Sequence, residues 1–358
     1  MVMKKILLTG ASGAVGFQAL KELLRRKDHY SVRIFSLDLP SEHKLFKPFQ
    51  DDVEVLWGDL RNPEDTLKAV AGADIVLHVA GIIPPAADLN PNLAWAVNVG
   101  GTRNLVNACQ QQPTPPKILF TSSISVYGDR IENPGILVGD PLNPSDGDEY
   151  ARTKIAAEAL IQDSGLPYVI FRLCGILVRR LKIQPLMFHM PLETALEWCH
   201  DSDTGYALVQ AIEEEALQGR IFNLGGGERC RTKARDFLKQ MFPLWGLDAK
   251  ILPDYAFATR NFHSGYYLDG DELDRILHFR RKTLQDYLRT MGACVSPLQR
   301  LAVGMIPKSI VRAWMLKMSE PLQAIRQKNE RLVRRFYGSK EIFDSIYQKN
   351  IVGVGNAK

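Results

Sequence analysis

The 358 residues are 46% hydrophobic and 24% charged, which excludes a disordered chain and supplies apolar surface for a substantial core and two lobes. The net charge of +5 is uneven: from Pro297 onward 12 Lys or Arg stand against 4 Asp or Glu, so the body is slightly acidic, which argues against a nucleic-acid face there and leaves a basic tail. Five cysteines, Cys109, Cys174, Cys199, Cys230 and Cys294, stand singly without metal-ligand spacing, and no apolar run is long enough to span a membrane, so reduced thiols, no metal centre and a cytoplasmic location are expected.

At the amino terminus the apolar run Ile6 to Leu8 enters glycine-rich sequence after three residues, too soon for a secretory core. Val15, Phe17, Leu20, Leu23 and Leu24 then follow at near-helical spacing, so the stretch reads as strand, tight turn and helix. Gly10, Gly13 and Gly16 are placed to let the backbone turn sharply, approach a pyrophosphate and pack the helix on the strand. The helix start then offers unpaired N–H groups to phosphate oxygens. A second strand, Val32 to Leu37, ends in Asp38, 22 residues after Gly16. An acid there accepts hydrogen bonds from the adenosine ribose and repels a 2′-phosphate, which favours NAD over NADP.

The alternation continues down the chain. "VEVLWGDLRN" reads as a strand ending at Asp59, "PEDTLKAVAGA" as a helix, "DIVLHVAGI" as a strand and "NVGGTRNLVNACQQ" as a helix. "PKILFTSSISVYG", "EYARTKIAAEALIQ" and "PYVIFRLCGI" repeat strand, helix and strand. The expectation is α/β, a doubly wound parallel sheet of the Rossmann type, with ligands held beyond the carboxyl ends of the strands. The residues to watch are Gly10, Asp38, Asp59, Ala80, Gly81, Ser122, Ser123 and Cys174. His78 reads as a satisfied core histidine, and Arg172 as a packed stem with its head reaching solvent.

Taken in order, "TGASGAVG", "GDL", "HVAG", "NVGGT", "TSSISVYG", "YARTK" and "FRLCGIL" resemble the extended short-chain dehydrogenase/reductase family, the NAD-dependent epimerase/dehydratase group, from residue 4 to about 226. The resemblance implies that Tyr150 is the catalytic acid/base, Lys154 its partner and Ser123 the hydroxyl that orients the substrate oxygen, with Asn98 in support. It implies a cofactor, NAD before NADP, held by Gly10, Ser12, Gly13, Ala14, Val15, Gly16, Asp38, Asp59, Leu60, Val79, Ala80, Gly81, Asn98, Tyr150 and Lys154. The chemistry asks for these types. A free phenol titrates near about pH 10, and a neighbouring ammonium stabilises its phenolate. Four-residue helical spacing projects both side chains from one face.

Only the 24 residues from Val178 to Asp201 separate "CGIL" from the next helix, and no Gly-Pro follows, so a smaller or more apolar substrate than a sugar nucleotide is expected. Arg179, Arg180 and Lys182 keep an anionic one open, and Met187, Phe188, Met190 and Trp198 read as pocket lining or core. Family dehydratases carry an Asp-Glu pair after the Ser or Thr, where this chain has Ile124 and Ser125. The reading is therefore NAD(P)-dependent hydride transfer at a secondary alcohol or ketone, with a nucleotide-sugar epimerase and a non-catalytic nucleotide-binding scaffold as alternatives. Residues 1–177, rejoined by 202–226, read as the dinucleotide domain, 178–201 and 227–296 as the substrate lobe, and 297–358 as a basic helical extension. In that extension Ile310, Val311, Trp314, Met315 and Met318 fall near helical spacing between Pro307 and Pro321. It has three partners to choose among: the protein's own body, a second copy in a homodimer, and a membrane surface touched peripherally.

Overall fold

The computed structural model describes residues 3–179 and 183–351, so Arg180 and Lys182 lie outside the described residues. Strands β1 (Lys4–Thr9), β2 (Tyr30–Ser36), β3 (Glu54–Trp57), β4 (Ile75–His78), β5 (Lys117–Ser123) and β6 (Tyr168–Leu173) alternate with helices α1 (Ala14–Leu24), α2 (Pro40–Phe46), α3 (Pro63–Val70), α4 (Thr102–Gln110) and α5 (Glu149–Gln162). Further on come β7 (Gly175–Leu177), β8 (Ala195–His200), α6 (Asp201–Gln210), β9 (Arg220–Leu224) and β10 (Arg231–Lys233). Seven strands form one parallel sheet in the order β9-β6-β5-β4-β1-β2-β3.

Side-chain alternation along the strands builds two cores at once. Ile6 and Leu8 face one side with Leu20 and Leu23 of α1 and Leu208 of α6. Leu7 faces the other with Val70 of α3, Leu105 of α4 and Ile161 of α5. Both faces are covered, which is why the strands read as continuous apolar runs. β1 pairs with β2 on one side (Leu8 beside Ile34) and β4 on the other (Leu8 beside Leu77), so successive crossovers leave it in opposite directions. The crevice opens beyond the carboxyl ends of β1 and β4.

The helix expected from Asn98 begins wider than an α-helix: Trp95–Gly101 is a π-helical turn that runs into α4. Beyond β6 the chain builds a second sheet, β10-β8-β7, backed by α7 (Ala234–Leu244) and α8 (Leu284–Cys294) around Leu196, Phe237, Met241, Tyr287 and Leu288. Five helices follow: α9 (Pro297–Met305), α10 (Lys308–Met318), α11 (Glu320–Arg326), α12 (Glu330–Tyr337) and α13 (Lys340–Ile351). Pro307 caps α10 and Pro321 lies in the first turn of α11, positions where the missing N–H costs no helical bond. Leu322, Val333, Phe336, Tyr337 and Phe343 of α11–α13 bury against Tyr255 and Ala258. No helix among the described residues is long and apolar enough to cross a membrane, and no cluster of metal-ligating side chains occurs among them.

Candidate active site

A groove of about 440 Å³ lies over the ends of β1, β2, β3 and β4. Gly10, Ser12, Gly13, Asp59, Leu60, Val79, Ala80 and Gly81 line it. Gly10 adopts φ +72°, and a Cβ there would stand 2.5 Å from the Ala80 nitrogen, so this turn admits no other residue without strain. Ala14 opens α1 and Val15 packs into the core behind the loop. Gly16 lies so close to the Gly10 carbonyl that a Cβ would collide with it. The start of α1 has Gly13 at its cap, no side-chain cap bond and no acid in its first turn. Its free N–H groups and positive dipole end therefore fit the diphosphate of a dinucleotide.

Asp38 is not where the sequence suggested. β2 stops at Ser36, two residues short, and the chain turns towards Pro40 at the start of α2. The Asp38 side chain is 73% exposed and pairs with His43 at 2.6 Å. The acid that lines the groove beside the end of β2 is Glu42, in the first turn of α2, which accepts a 2.7 Å hydrogen bond from the Ser36 hydroxyl. The sequence reading missed it because a strand end cannot be placed within two residues by pattern alone. Asp59 is clamped by Arg61, whose guanidinium donates to both carboxylate oxygens, and this holds the carboxyl below its ordinary range against a smaller opposing effect of burial.

At the far end of the groove three predicted residues converge. Ser123 ends β5, where its hydroxyl accepts from the Ser125 N–H at 3.1 Å and lies near enough to the Tyr150 phenol to favour the phenolate. Burial pushes that phenol well above its usual value, the Ser123 hydroxyl offsets part of the rise, and the Asp148 charge adds to it. Lys154, one turn along α5, is buried and donates to the Thr121 carbonyl at 2.7 Å. Its ammonium lies 5.8 Å from the centre of the Tyr150 ring and 4.7 Å from that of Phe120. Burial lowers it to about 8, with Glu158 pulling the other way. The floor between lysine and groove is Gly81, where a Cβ would come within 3.2 Å of Asn98 Oδ1 and 3.5 Å of Lys154 Nζ. Asn98 accepts from the Ile82 N–H at 2.7 Å and donates to Thr153 at 3.0 Å, which locks the π-helical turn onto α5.

Several supporting groups were not singled out from sequence. Asp148 caps α5 by accepting from the Ala151 N–H at 2.9 Å, and its other oxygen meets His263 Nδ1 at 2.5 Å. Burial pushes its carboxyl up, but His263, the capping bond and Arg335 of α12 together bring it below its ordinary range. The cap was legible as an Asp just ahead of a helical run, whereas His263 is 115 residues away in the chain and had no local signal. Arg172 corrects the snorkelling expectation: it lies inside β6, 4% exposed, and grips Glu158 of α5 at 2.7 Å, the Tyr127 hydroxyl at 2.7 Å and the Val138 carbonyl at 3.0 Å. A carboxylate one turn below Lys154 draws the guanidinium inward, where a lone charge would have stayed wet. His78 is the satisfied core histidine expected, between Thr9 at 2.8 Å and Thr102 at 3.0 Å, and burial together with the Lys154 charge lowers it to about 3. Ser122 and Cys174 are buried beside the site, and burial holds the Cys174 thiol protonated.

An apolar cavity of about 150 Å³ opens beside β8 and α7, lined by Met187, Met190, Trp198, Phe237, Met241, Trp245 and Phe262 among others. Phe188 turns away from it into a neighbouring core with Phe257 and Met315. Phe262 stacks on His263, and His263 pairs with the cap of the Tyr150 helix, so the cavity wall is joined to α5 through two contacts. Ile124 and Ser125 are both buried, with no carboxylate in the positions a dehydratase would use.

Glycine cradle, hydroxyl–phenol pair and buried lysine define the class, a dinucleotide-binding α/β protein with a Ser-Tyr-Lys corner. The pattern of the 3-beta hydroxysteroid dehydrogenase/isomerase family matches residues 7–169. Curated relatives include 3 beta-hydroxysteroid dehydrogenase type 7 of Mus musculus, 29% identical over 46% of this chain and 47% of that protein. D-erythronate dehydrogenase of Cupriavidus necator is 31% identical over 44% of this chain and 49% of its own. The chain thus matches about half the length of these relatives. Among solved structures, dTDP-glucose 4,6-dehydratase of Bacillus anthracis in complex with NAD is similar in fold, with a TM-score of 0.67 at 18% identity over 81% of this chain and 96% of that one. These likenesses, over about half of the chain in sequence and over most of it in fold, agree with the resemblance to the extended short-chain dehydrogenase/reductase family.

Proposed function

We propose that the protein is an NAD-dependent oxidoreductase that moves hydride at the carbon of a secondary alcohol or ketone, with Tyr150 as acid/base. The observation that carries the reading is the Lys154 ammonium 5.8 Å from the centre of the Tyr150 ring and just beneath Gly81 of the groove, with the Ser123 hydroxyl near the phenol. When bound, the nicotinamide supplies the acceptor or donor of hydride. Tyr150 holds or takes the proton of the reacting oxygen, Ser123 keeps that oxygen within reach, and Lys154 supplies the positive charge that favours the phenolate. Relatives named as dehydrogenases, and a fold neighbour solved with NAD, support the same reading.

The cofactor-binding set is Gly10, Ser12, Gly13, Ala14, Val15, Gly16, Asp59, Leu60, Val79, Ala80, Gly81, Asn98, Tyr150 and Lys154, with Glu42 taking the ribose role first given to Asp38. A carboxylate on the groove wall accepts from ribose hydroxyls and repels a 2′-phosphate, so NAD is favoured. The apolar cavity and the absence of a carboxylate pair at Ile124 and Ser125 favour a compact apolar alcohol or ketone over dehydration of a sugar nucleotide. Free cysteines, four of five buried, accord with a reducing cytoplasmic setting.

Purified protein tested with NADH and a panel of apolar ketones should turn over, and Tyr150→Phe should lose about 10²–10⁴-fold in kcat while keeping NADH binding. Turnover unchanged in Tyr150→Phe would remove the phenol from the mechanism. Bound NADH without turnover by the wild type on any alcohol or ketone would favour the scaffold.

A further inference from the structure

Helices α9 and α10 do not bury what their sequence offers. No residue of α9 is buried, and only Met315 of α10 is. Leu298, Leu301 and Met305, at helical spacing on one face of α9, are 79%, 61% and 71% exposed. Ile306 follows at the joint, and Ile310 and Trp314, one turn apart on α10, are 59% and 54% exposed. Six large apolar side chains thus meet solvent within 17 residues, where a monomer ordinarily leaves such groups scattered. They are not loosely attached: Met315 is held in a core with Phe188, Phe242 and Phe257, and Lys308 pairs with Asp248 at 2.6 Å.

The charge carried by this segment of the chain has one sign. No Asp or Glu occurs between Asp286 and Glu320, while Arg289, Arg300, Lys308, Arg312 and Lys317 do. Arg300 turns inward to the Gly292 carbonyl. Arg312 and Lys317 are exposed and form no ion pair among the described residues, and Lys317 continues the Ile310–Trp314 face one turn on. A second copy laid face to face on this surface would bring like charges together, which costs association. An anionic lipid surface meets both requirements, taking apolar side chains below its headgroups and basic ones among them. Helices of nine and eleven residues are too short to span and can only lie flat. A tryptophan on such a face sits at headgroup level.

We propose that α9 and α10 form a docking face for the surface of an anionic membrane, with Leu298, Leu301, Met305, Ile310 and Trp314 inserted and Arg312 and Lys317 pairing with lipid headgroups. The docking does not depend on the proposed oxidoreductase activity and is read without turnover.

The test is flotation of the full chain with vesicles of phosphatidylcholine alone and of phosphatidylcholine with an equal part of phosphatidylglycerol, beside tryptophan quenching by brominated lipid. The expected result is binding to the anionic vesicles, weakened roughly tenfold or more in Arg312→Gln/Lys317→Gln and lost in Leu301→Glu/Ile310→Glu. The quench should disappear in Trp314→Phe, a change that keeps the fold. Equal binding to neutral vesicles, or quenching that survives Trp314→Phe, would overturn the proposal. So would a dimer by light scattering that dissociates in Leu301→Glu/Ile310→Glu without vesicle binding in the wild type, which would give the face to a second copy.

Discussion

The parallel sheet and the pair α9–α10 treat apolar and charged residues in opposite ways. Around the sheet each apolar strand face has a helix over it, and the charged groups drawn inside, Arg172, Glu158 and Lys154, all have partners. On α9–α10 the apolar face is open and two basic groups stand without acids among the described residues. The difference teaches that the sheet half is complete by itself, whereas the exposed pair has stability to gain only from something outside the chain. Substitutions inside the sheet half should therefore be costly, while Leu301→Glu should leave turnover and unfolding unchanged.

The largest effect is expected at Lys154. Lys154→Met should lower kcat/KM by about 10²–10⁴-fold with the fold retained. Because burial brings the ammonium to about 8, wild-type activity should fall on the alkaline side of that pH, and Lys154→Arg should move the limb upward. An unchanged profile in Lys154→Arg would mean that the lysine serves only the packing of Thr121.

Next comes the buried ion pair. Arg172→Met leaves the Glu158 carboxylate alone under α5 and should cost about 3–5 kcal/mol in urea unfolding, whereas replacing both by Met should recover most of the loss. A mild effect of the single change would show that water reaches this layer, and the contrast with the exposed pair would weaken.

His78 tests the same closure by pH. Its folded value of about 3 lies below an unfolded value near about 6.5, so the folded state binds fewer protons between them. The stability is fully present above about pH 6.5 and is lost as pH falls, by about 2 kcal/mol at pH 5. His78→Asn should flatten that part of the stability–pH curve.

The smallest effect is expected at the adenosine end. Glu42→Ala should shift the preference between NADH and NADPH by about tenfold towards NADPH, and Asp38→Asn should leave it alone. The reverse pattern would return the ribose contact to Asp38.

Local pattern accounts for most of the first 226 residues. Strand-length apolar runs, glycines at fixed offsets and helix caps each depend on neighbours a few positions apart, so Gly10 and Gly13 could be singled out by spacing, whereas Ser123, Tyr150 and Lys154 were singled out by the family resemblance that the ordered motifs carry. What tertiary structure alone decided are placements that local pattern does not carry: Glu42 brought to the groove when β2 ended early, His263 set against Asp148, Arg172 folded inward onto Glu158, and Phe262 and Met187 lining one cavity. The physical reason is that backbone periodicity is a short-range property of the chain. Which side chain is buried or left bare depends on whatever surface folding happens to lay against it, and the outward faces of α9 and α10 met none among the described residues.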